Sequence, residues 1–522
     1  MNWKRPLALS TAALTLGTAL AACGNPTAAA PDPTPTPAAE VQSLSTTGST
    51  VKAPKYVFLF IGDGMSYPQI QSTSDFLGAL NDADYRQAQP SLDDNGGAIL
   101  DGPEYLNFMN FEAAGSAVTY DSNSFAPDSA STATSISTGY KTYSGSINVD
   151  ETGTISYETI AEQLHAQKGY SVGVITSVNL NHATPAAFYA HQASRNDYYD
   201  IGLELIDSGF EYFAGGGLLK PTGAEGDQAD LYALAEKAGY HVVKTQAEAE
   251  QVTGGPVVII DEHLADSDAM AYEIDRTDDM WALADYVEKG IEVLSQDKDG
   301  FFMMCEGGKI DWACHANDAA STIHDTQALA DAVQVAIDFA KEHADETLIL
   351  VTSDHETGGL TIGFAGTDYD TYLDLLESQK ISYAKFDSDY VSRYKEDKTS
   401  FEDVLKDVEA LFGLKPQGEE GDKLVLTDYE LEQLRAAYEK SVNGTAASQY
   451  EQEEYVLYGT YEPLSVTLTH IINNKSGISF TSYSHTGLPV AVLAEGAGSE
   501  MFNGYYDNTD IYNKLADLLN IA

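Results

Sequence analysis

Apolar and polar positions repeat along this chain with two different periods, and the switches between them mark its elements. Residues 55–62 (KYVFLFIG) form an unbroken apolar run rich in aromatic and β-branched side chains. That is the pattern of a strand buried on both faces. Similar short runs at 116–120, 171–176, 257–260, 300–305, 348–352 and 489–493 predict further strands. Between them, apolar spacings of three and four predict helices over 129–138, 156–167, 201–208, 229–238, 280–294, beyond His315 to about 341, and 510–519. Pro185 suits the first turn of another helix, which would carry Arg195 about three turns on. Gly215-Gly216-Gly217 reads as a turn, and residues 80–104 as a polar loop. Alternating strands and helices predict an α/β fold with a doubly wound, mostly parallel central sheet flanked by helices. Functional groups of such a sheet gather beyond the carboxyl ends of its strands. From about 366 to 480 the alternation stops. This stretch, rich in Tyr, Asp, Glu and Lys with helical patterns at 400–412 and 428–439, is expected to be a subdomain inserted over the site. No internal repeat is visible.

The N-terminus has a different pattern. Lys4 and Arg5 precede an apolar run that ends Leu20-Ala21-Ala22-Cys23-Gly24. This resembles a bacterial lipoprotein signal, so residues 1–22 are expected to be a signal peptide and Cys23 the lipid-bearing residue. An ordinary secretory peptide with an incidental cysteine is the alternative. Residues 23–52, with Pro26, Pro31, Pro33, Pro35 and Pro37, form a Pro/Thr/Ala-rich tether. In polyproline II conformation it spans up to roughly 80 Å, at ~3.1 Å per residue. The expectation is an exported protein, lipid-anchored at the bacterial cell envelope, with its catalytic domain over 53–522.

Charge narrows the partners. The 522 residues hold 80 Asp and Glu against 28 Lys and Arg, a formal net charge of -52. Such a surface repels phosphate backbones and anionic headgroups, so no nucleic-acid-binding surface is expected. Cys305 and Cys314 flank site-type residues and are not read as a disulfide. Oligomeric state stays open, with a homodimer as one alternative.

The candidate chemistry starts at Pro127-Asp128-Ser129-Ala130. Ser129 opens a predicted helix, where unpaired backbone N–H groups favour an anion, so it is a candidate nucleophile for a phosphate ester. By itself it could equally be a helix cap. Other groups change the balance. Asp63 lies between two glycines after the first strand. His182 and Thr184 follow the strand at 171–176, with Arg195 beyond. Glu306 follows the strand at 300–305, and Asp311 and His315 stand four apart, one helical turn, so both can face one ion. Asp354 and His355 follow the strand at 348–352, and His485 lies in a late Ser-Tyr-Ser-His-Thr-Gly run.

At these residues the chain resembles alkaline phosphatase. The motifs are IGDGM (61–65), DSASTATSISTGYKTYSG (128–145), HATPA (182–186), EGGKIDWACH (306–315), VTSDHETGG (351–359) and the SHTG around His485. The resemblance implies a bacterial phosphomonoester hydrolase with two Zn²⁺ and one Mg²⁺, acting on small phosphomonoesters through a phosphoserine on Ser129. It implies that Asp311, His315 and His485 hold the first zinc, and that Asp63, Asp354, His355 and the Ser129 oxygen hold the second. Asp63 would bridge to a magnesium also bound by Thr184 and Glu306. Arg195 would grip the phosphate, held by Asp128. Histidine with carboxylate suits zinc, and an all-oxygen set suits magnesium. Three divalent ions and Arg195 would outweigh the site carboxylates, so the pocket attracts phosphate despite the acidic surface.

Two positions depart from the enterobacterial pattern. It has Asp and Lys where this chain has His182 and Trp312, a pair similar to that of marine cold-active members. Both are expected to border the substrate, and the third metal's identity stays open. The 366–480 segment resembles the crown-like loop of those members. A phosphodiesterase or sulfatase of the same superfamily, or a non-catalytic phosphate- or metal-binding surface protein, are the alternatives.

Overall fold

The computed structural model describes residues 52–82, 100–444 and 451–521. The expected signal peptide, Cys23 and nearly all of the tether lie outside the described residues, as does 83–99 of the expected polar loop. The strands, in chain order, are β1 (Tyr56–Ile61), β2 (Ala113–Val118), β3 (Ser171–Asn179), β4 (Tyr212–Gly216), β5 (His241–Val243), β6 (Val257–Ile260), β7 (Phe301–Glu306) and β8 (Thr347–Thr352). They continue with β9 (Glu356–Thr357), β10 (Thr361–Ile362), β11 (Ile478–Ser479), β12 (His485–Thr486), β13 (Val490–Gly496) and β14 (Gly504–Asp507).

Ten of them form one sheet in the order β14-β2-β13-β8-β1-β7-β3-β4-β6-β5. Only β13 runs against the rest. β1 sits in the middle, parallel to β7 on one side and β8 on the other, in a register that brings Ile61, Glu306 and Thr352 level. Every side chain of β1 is buried, and its alternation sorts them between two cores. Val57, Leu59 and Ile61 join one layer; Tyr56, Phe58 and Phe60 join the other. This two-sided burial is why the strand reads as continuously apolar. The carboxyl ends of β2, β8, β1, β7 and β3 all open on one edge of the sheet.

Between β10 and β11, which pair antiparallel, the chain leaves the sheet and builds a third cluster of its own. Phe386, Tyr394, Phe401, Val404, Val408, Phe412, Leu434 and Leu464 pack there against Phe76, Ala319 and Ile323. Phe76 belongs to a helix, Tyr67–Asn81, absent from the sequence expectation. Its buried positions include Gln69, Ser72, Thr73 and Ser74, so it carries no clean apolar stripe.

Other expectations shift. The helix expected over 156–167 starts at Ile160, capped by Thr159 with Glu162 reaching back. The strand at 116–120 is Ala113–Val118. Gly215 and Gly216 belong to β4 rather than to a turn; a Cβ on Gly215 would lie 1.9 Å from the Thr176 carbonyl oxygen, so the strands approach there as only glycine allows. Asp311 and His315 share a short helix, Lys309–His315, and the long helix expected beyond His315 to about 341 is Ala319–Glu342, capped by Asp318. Segment 366–480 holds more helices than the two expected, among them Pro463–Ser476. No helix among the described residues is long and apolar enough to cross a membrane.

Candidate active site and metal centre

Ser129 is the first residue of the Ser129–Thr138 helix, with Asp128 as its N-cap. It is nearly buried, and its Oγ lies 3.1 Å from His355 Nε2. That ring nitrogen is also 3.4 Å from Asp63 Oδ1 and 3.4 Å from Asp354 Oδ2. Asp63 follows β1 and Asp354 and His355 follow β8, so adjacent strands deliver all three. Gly64 makes the approach possible. Its φ is +73°, and a Cβ there would press on Asp311 Cα at 3.0 Å and Thr357 Oγ1 at 2.9 Å.

A second trio adjoins the first. On the Lys309–His315 helix, His315 Nε2 lies 3.3 Å from Asp311 Oδ2. His485 Nε2 lies 3.6 Å from Asp311 Oδ1 and 3.1 Å from His315 Nε2. Ligand atoms of Asp311, His355 and His485 fall within 4.8 Å of one another, as do those of Asp63, Asp354 and His355.

The histidines are oriented from behind. His315 Nδ1 meets the Tyr483 carbonyl at 2.6 Å, and His485 Nδ1 meets the Pro127 carbonyl at 2.6 Å. A carbonyl only accepts, so Nδ1 carries the proton and Nε2 presents a lone pair. Thr357 does the same for His355. Its hydroxyl donates to Asp311 Oδ1 at 2.5 Å and so accepts from His355 Nδ1 at 3.3 Å.

The buried oxygens beside Ser129 are short of donors. Both carboxylate oxygens of Asp63, Asp354 Oδ2, Glu306 Oε1 and Thr184 Oγ1 are buried without a hydrogen-bond partner. Five such atoms in one place are what a polyvalent cation would satisfy. In the protein alone they push one another's protons on. Burial first, then the neighbouring carboxylates, raises Asp63 well above the ordinary carboxylate range and Asp354 to about 8. Burial raises Glu306 to about 7 against the hydrogen bond that its other oxygen accepts from Thr176. For Asp311 burial works upward too, but the pull of the neighbouring His315, His485 and His355 rings outweighs it and holds this carboxylate well below its usual value.

Arg195 is aimed from two sides. Its Nη1 donates to Asp128 Oδ2 at 2.8 Å, and its Nη2 donates to His182 Nε2 at 3.3 Å. The route to this position differs from the expected helix. That helix ends after one turn, Ala183–Ala186. The chain then pairs Gln192 with Ile147 and ties the Arg195 N–H to the Gly145 carbonyl at 2.7 Å. The loop after the Ser129 helix thus holds the Arg195 loop, and Asp128 Oδ1 fastens both by accepting from Gly145 and Ser131 N–H. His182 is pushed down to about 3 by burial and then by the Arg195 charge, so it is a neutral acceptor for Arg195. Trp312 stands edge-on to it at 6.0 Å, with the Lys309 Nζ 4.5 Å over its ring.

Together Ser129, His182, Arg195, Asp311, Trp312, His315 and His485 line an open cleft of about 490 Å³. All the sequence-derived site residues therefore converge at one sheet edge. Sequence reasoning missed Thr176, whose hydroxyl donates to Glu306 Oε2, because it hides inside an apolar strand. It missed Thr357 as the link between Asp311 and His355, although Thr357 lies within the VTSDHETGG run. It missed Tyr383 and Tyr461 of the cleft wall, which sit in a segment without motifs. Cys305 and Cys314 are free and buried, as expected.

The chain matches a protein-family model described as alkaline phosphatase over residues 54–521. Alkaline phosphatase 3 of Bacillus subtilis (strain 168) is 31% identical over 465 residues, covering 88% of this chain and 87% of the relative. Among solved structures, the cold-active alkaline phosphatase of the psychrophile Shewanella sp. superposes with a TM-score of 0.70 at 29% identity, over 89% of this chain and 99% of that one. The enzyme of the Antarctic bacterium TAB5 gives a TM-score of 0.59 at 25% identity, over 90% and 99%, and a variant of it carries Mg bound in the M3 site. The family model and the Bacillus relative, each covering most of the chain, lead to one conclusion: the chain belongs to the alkaline phosphatase family and is a phosphomonoester hydrolase.

Proposed function

We propose that this enzyme hydrolyses small phosphomonoesters through a phosphoserine on Ser129, using two Zn²⁺ and one Mg²⁺. Asp311, His315 and His485 would hold one zinc; Asp63, Asp354, His355 and the Ser129 oxygen would hold the other. Asp63, Thr184 and Glu306 would hold the magnesium, consistent with their all-oxygen donors and with the Mg-bound TAB5 variant. The observation that carries this reading is the group of donor-starved oxygens on Asp63, Asp354, Glu306 and Thr184 around Ser129. Bound there, such ions lower the pKa of coordinated hydroxyls and offset charge on the entering and leaving oxygens.

The chain's own groups do the rest. Arg195 offers its guanidinium fork to two phosphoryl oxygens, kept in place by Asp128 and His182. The helix that starts at Ser129 turns its unpaired N–H groups toward the same anion. Ser129 Oγ forms the new bond to phosphorus as the ester oxygen departs, and water then releases phosphate from the serine. Trp312 and His182 border the phosphoryl pocket on one side. Mapping the label after brief incubation with radioactive phosphate tests this: it is expected on the peptide containing Ser129, and label confined to another residue overturns the assignment.

The same reading places the enzyme outside the cell, anchored through a lipid on Cys23, with residues 53–522 as the catalytic domain and 366–480 as its insertion. Support comes from the sequence alone. Cys23→Ser is expected to move activity from the membrane fraction to the soluble one; continued detergent-dependent extraction contradicts the anchor.

A further inference from the structure

One wall of the cleft is not explained by phosphate or metals. Tyr272, Tyr383, Trp312 and Tyr461 form a small cluster of their own, with Ala313 and Ala316 of the helix region that carries Asp311 and His315. It belongs to neither sheet core nor to the cluster of the 366–480 segment. Tyr461 stands edge-on to Tyr383 at 5.6 Å and lies stacked on Tyr483 at 6.2 Å. Tyr461, Tyr383 and Trp312 all line the cleft that holds Ser129 and Arg195.

Tyr383 is held on several sides. The Tyr383 N–H donates to Asp318 Oδ2 at 3.0 Å, and the same carboxylate's Oδ1 accepts from Gln379 at 2.8 Å. Asp275 accepts from the Ser382 N–H at 3.0 Å and from its hydroxyl at 2.5 Å. Tyr272 Oη donates to Tyr383 Oη at 3.1 Å. Two carboxylates and one phenol therefore fix a residue of the 366–480 segment in the wall of the cleft that Ser129 also lines. Charge points the same way. Among the described residues lining the cleft, Arg195 is the one Lys or Arg, and it faces the phosphoryl position. Asp266 also lines the cleft, and its pairing at 2.6 Å with buried Lys309, whose Nζ lies over the Tyr272 and Trp312 rings, leaves no net charge on that pair.

We propose that Trp312, Tyr383 and Tyr461 form a leaving-group subsite that selects monoesters with a flat, uncharged aromatic group and disfavours those with a further anionic group. This rests on the phosphomonoesterase site at Ser129. An aromatic leaving group gains contact with the ring faces and edges of the wall. A second phosphate or carboxylate finds no unpaired cation among the described lining residues to receive it, and the chain's net charge of -52 opposes it.

Calorimetric titration of the zinc- and magnesium-loaded enzyme tests this without turnover. Phenylphosphonate is expected to bind ~3- to 10-fold more tightly than methylphosphonate, the scale of one aromatic contact. 3-Phosphonopropionate is expected to bind more weakly than methylphosphonate. Tyr461→Ala should erase the phenyl preference while methylphosphonate affinity holds within about twofold, and Tyr461→Phe should retain it. Equal binding of the phenyl and methyl compounds by the unaltered enzyme overturns the subsite. So does a preference that survives Tyr461→Ala, or an equal loss for both ligands in that variant. Hydrolysis of p-nitrophenyl phosphate by the same preparation reports separately on the phosphatase reading. A protein that shows the phenyl preference but does not hydrolyse the ester contradicts that reading and supports the subsite.

Discussion

Ser129 Oγ and His355 Nε2 stand 3.1 Å apart although 226 positions separate them in the chain. The contact joins the start of one helix to the end of strand β8, and it depends on both being fixed from outside. Asp128 caps the helix, and Thr357 orients the histidine ring. A nucleophile and a metal-type ligand at this distance leave room for one ion shared with Asp63 and Asp354.

Asp128 has three partners, the helix N-terminus, the Gly145 N–H and Arg195. Arg195→Ala is expected to raise KM for p-nitrophenyl phosphate and the inhibition constant for phosphate by about 10- to 100-fold, the loss of a charged bidentate contact. Asp128→Ala should do part of this and, by removing the cap, also cost about 1 kcal/mol of stability. Steady-state kinetics with phosphate inhibition, and a thermal melt, check both. An unchanged phosphate inhibition constant in Arg195→Ala places Arg195 away from the phosphoryl group.

Thr176 touches no substrate, yet its hydroxyl donates to Glu306 Oε2. Thr176→Val keeps the shape and removes the donor. Loss of such a supporting bond is expected to weaken magnesium binding by about 10- to 100-fold. A magnesium titration of activity and a direct count of bound magnesium measure it. An unaltered titration midpoint would show that Glu306 needs no support from Thr176.

These residues show what the sequence exposed and what it concealed. β1 and Asp63 were legible because an all-apolar run followed by Gly-Asp-Gly has few other structural meanings. The Ser129–Thr138 helix agrees with its expected bounds, since Asp128 and Gly139 mark its two ends in local chemistry. Asp311 and His315 were legible through helical spacing. Thr176 and Thr357 were not singled out, because a buried threonine in or beside a strand looks like any β-branched strand residue. Arg195 was found but misrouted: a long helix after Pro185 is locally reasonable, and the pairing of Gln192 with Ile147 that replaces it is a tertiary contact. Tyr383 and Tyr461 owe their place to Asp275, Asp318 and the 366–480 packing, none of which a periodicity records.

The raised carboxylates make stability depend on pH in the metal-free protein. Asp354 at about 8 and Glu306 at about 7 hold protons in the fold that they would lose in the unfolded chain above their ordinary values near 4. Their contribution is fully present below pH ~4 and is lost as pH rises through about 7 to 8. Metal-free protein should therefore melt at progressively lower temperature, relative to metal-loaded protein, from pH 5 to pH 9. Paired melting curves across that range measure the gap. A gap that narrows with rising pH contradicts the ligand role of these carboxylates, since metal binding should displace their protons.

His191 works in the opposite direction from His182. It lies 3.4 Å from Glu162 and 3.2 Å from Glu204, and although burial opposes its charge these carboxylates raise it to about 10. Its contribution is present below the ordinary value near 6.5 and is lost as pH rises through about 10. His191→Ala is expected to lower the melting temperature more at pH 7 than at pH 11, as differential scanning calorimetry would show. An equal loss at both values would mean that the ring is packed there without charge.

The most direct measurement of the whole account is hydrolysis of p-nitrophenyl phosphate by one preparation in three states: as purified, after exhaustive chelation, and after return of zinc and magnesium together. Activity should fall by several powers of ten on chelation, recover with the two metals, and track about two zinc and one magnesium per chain by elemental analysis. Full activity in protein shown to contain no divalent metal would contradict the metal-dependent phosphatase centre at Ser129.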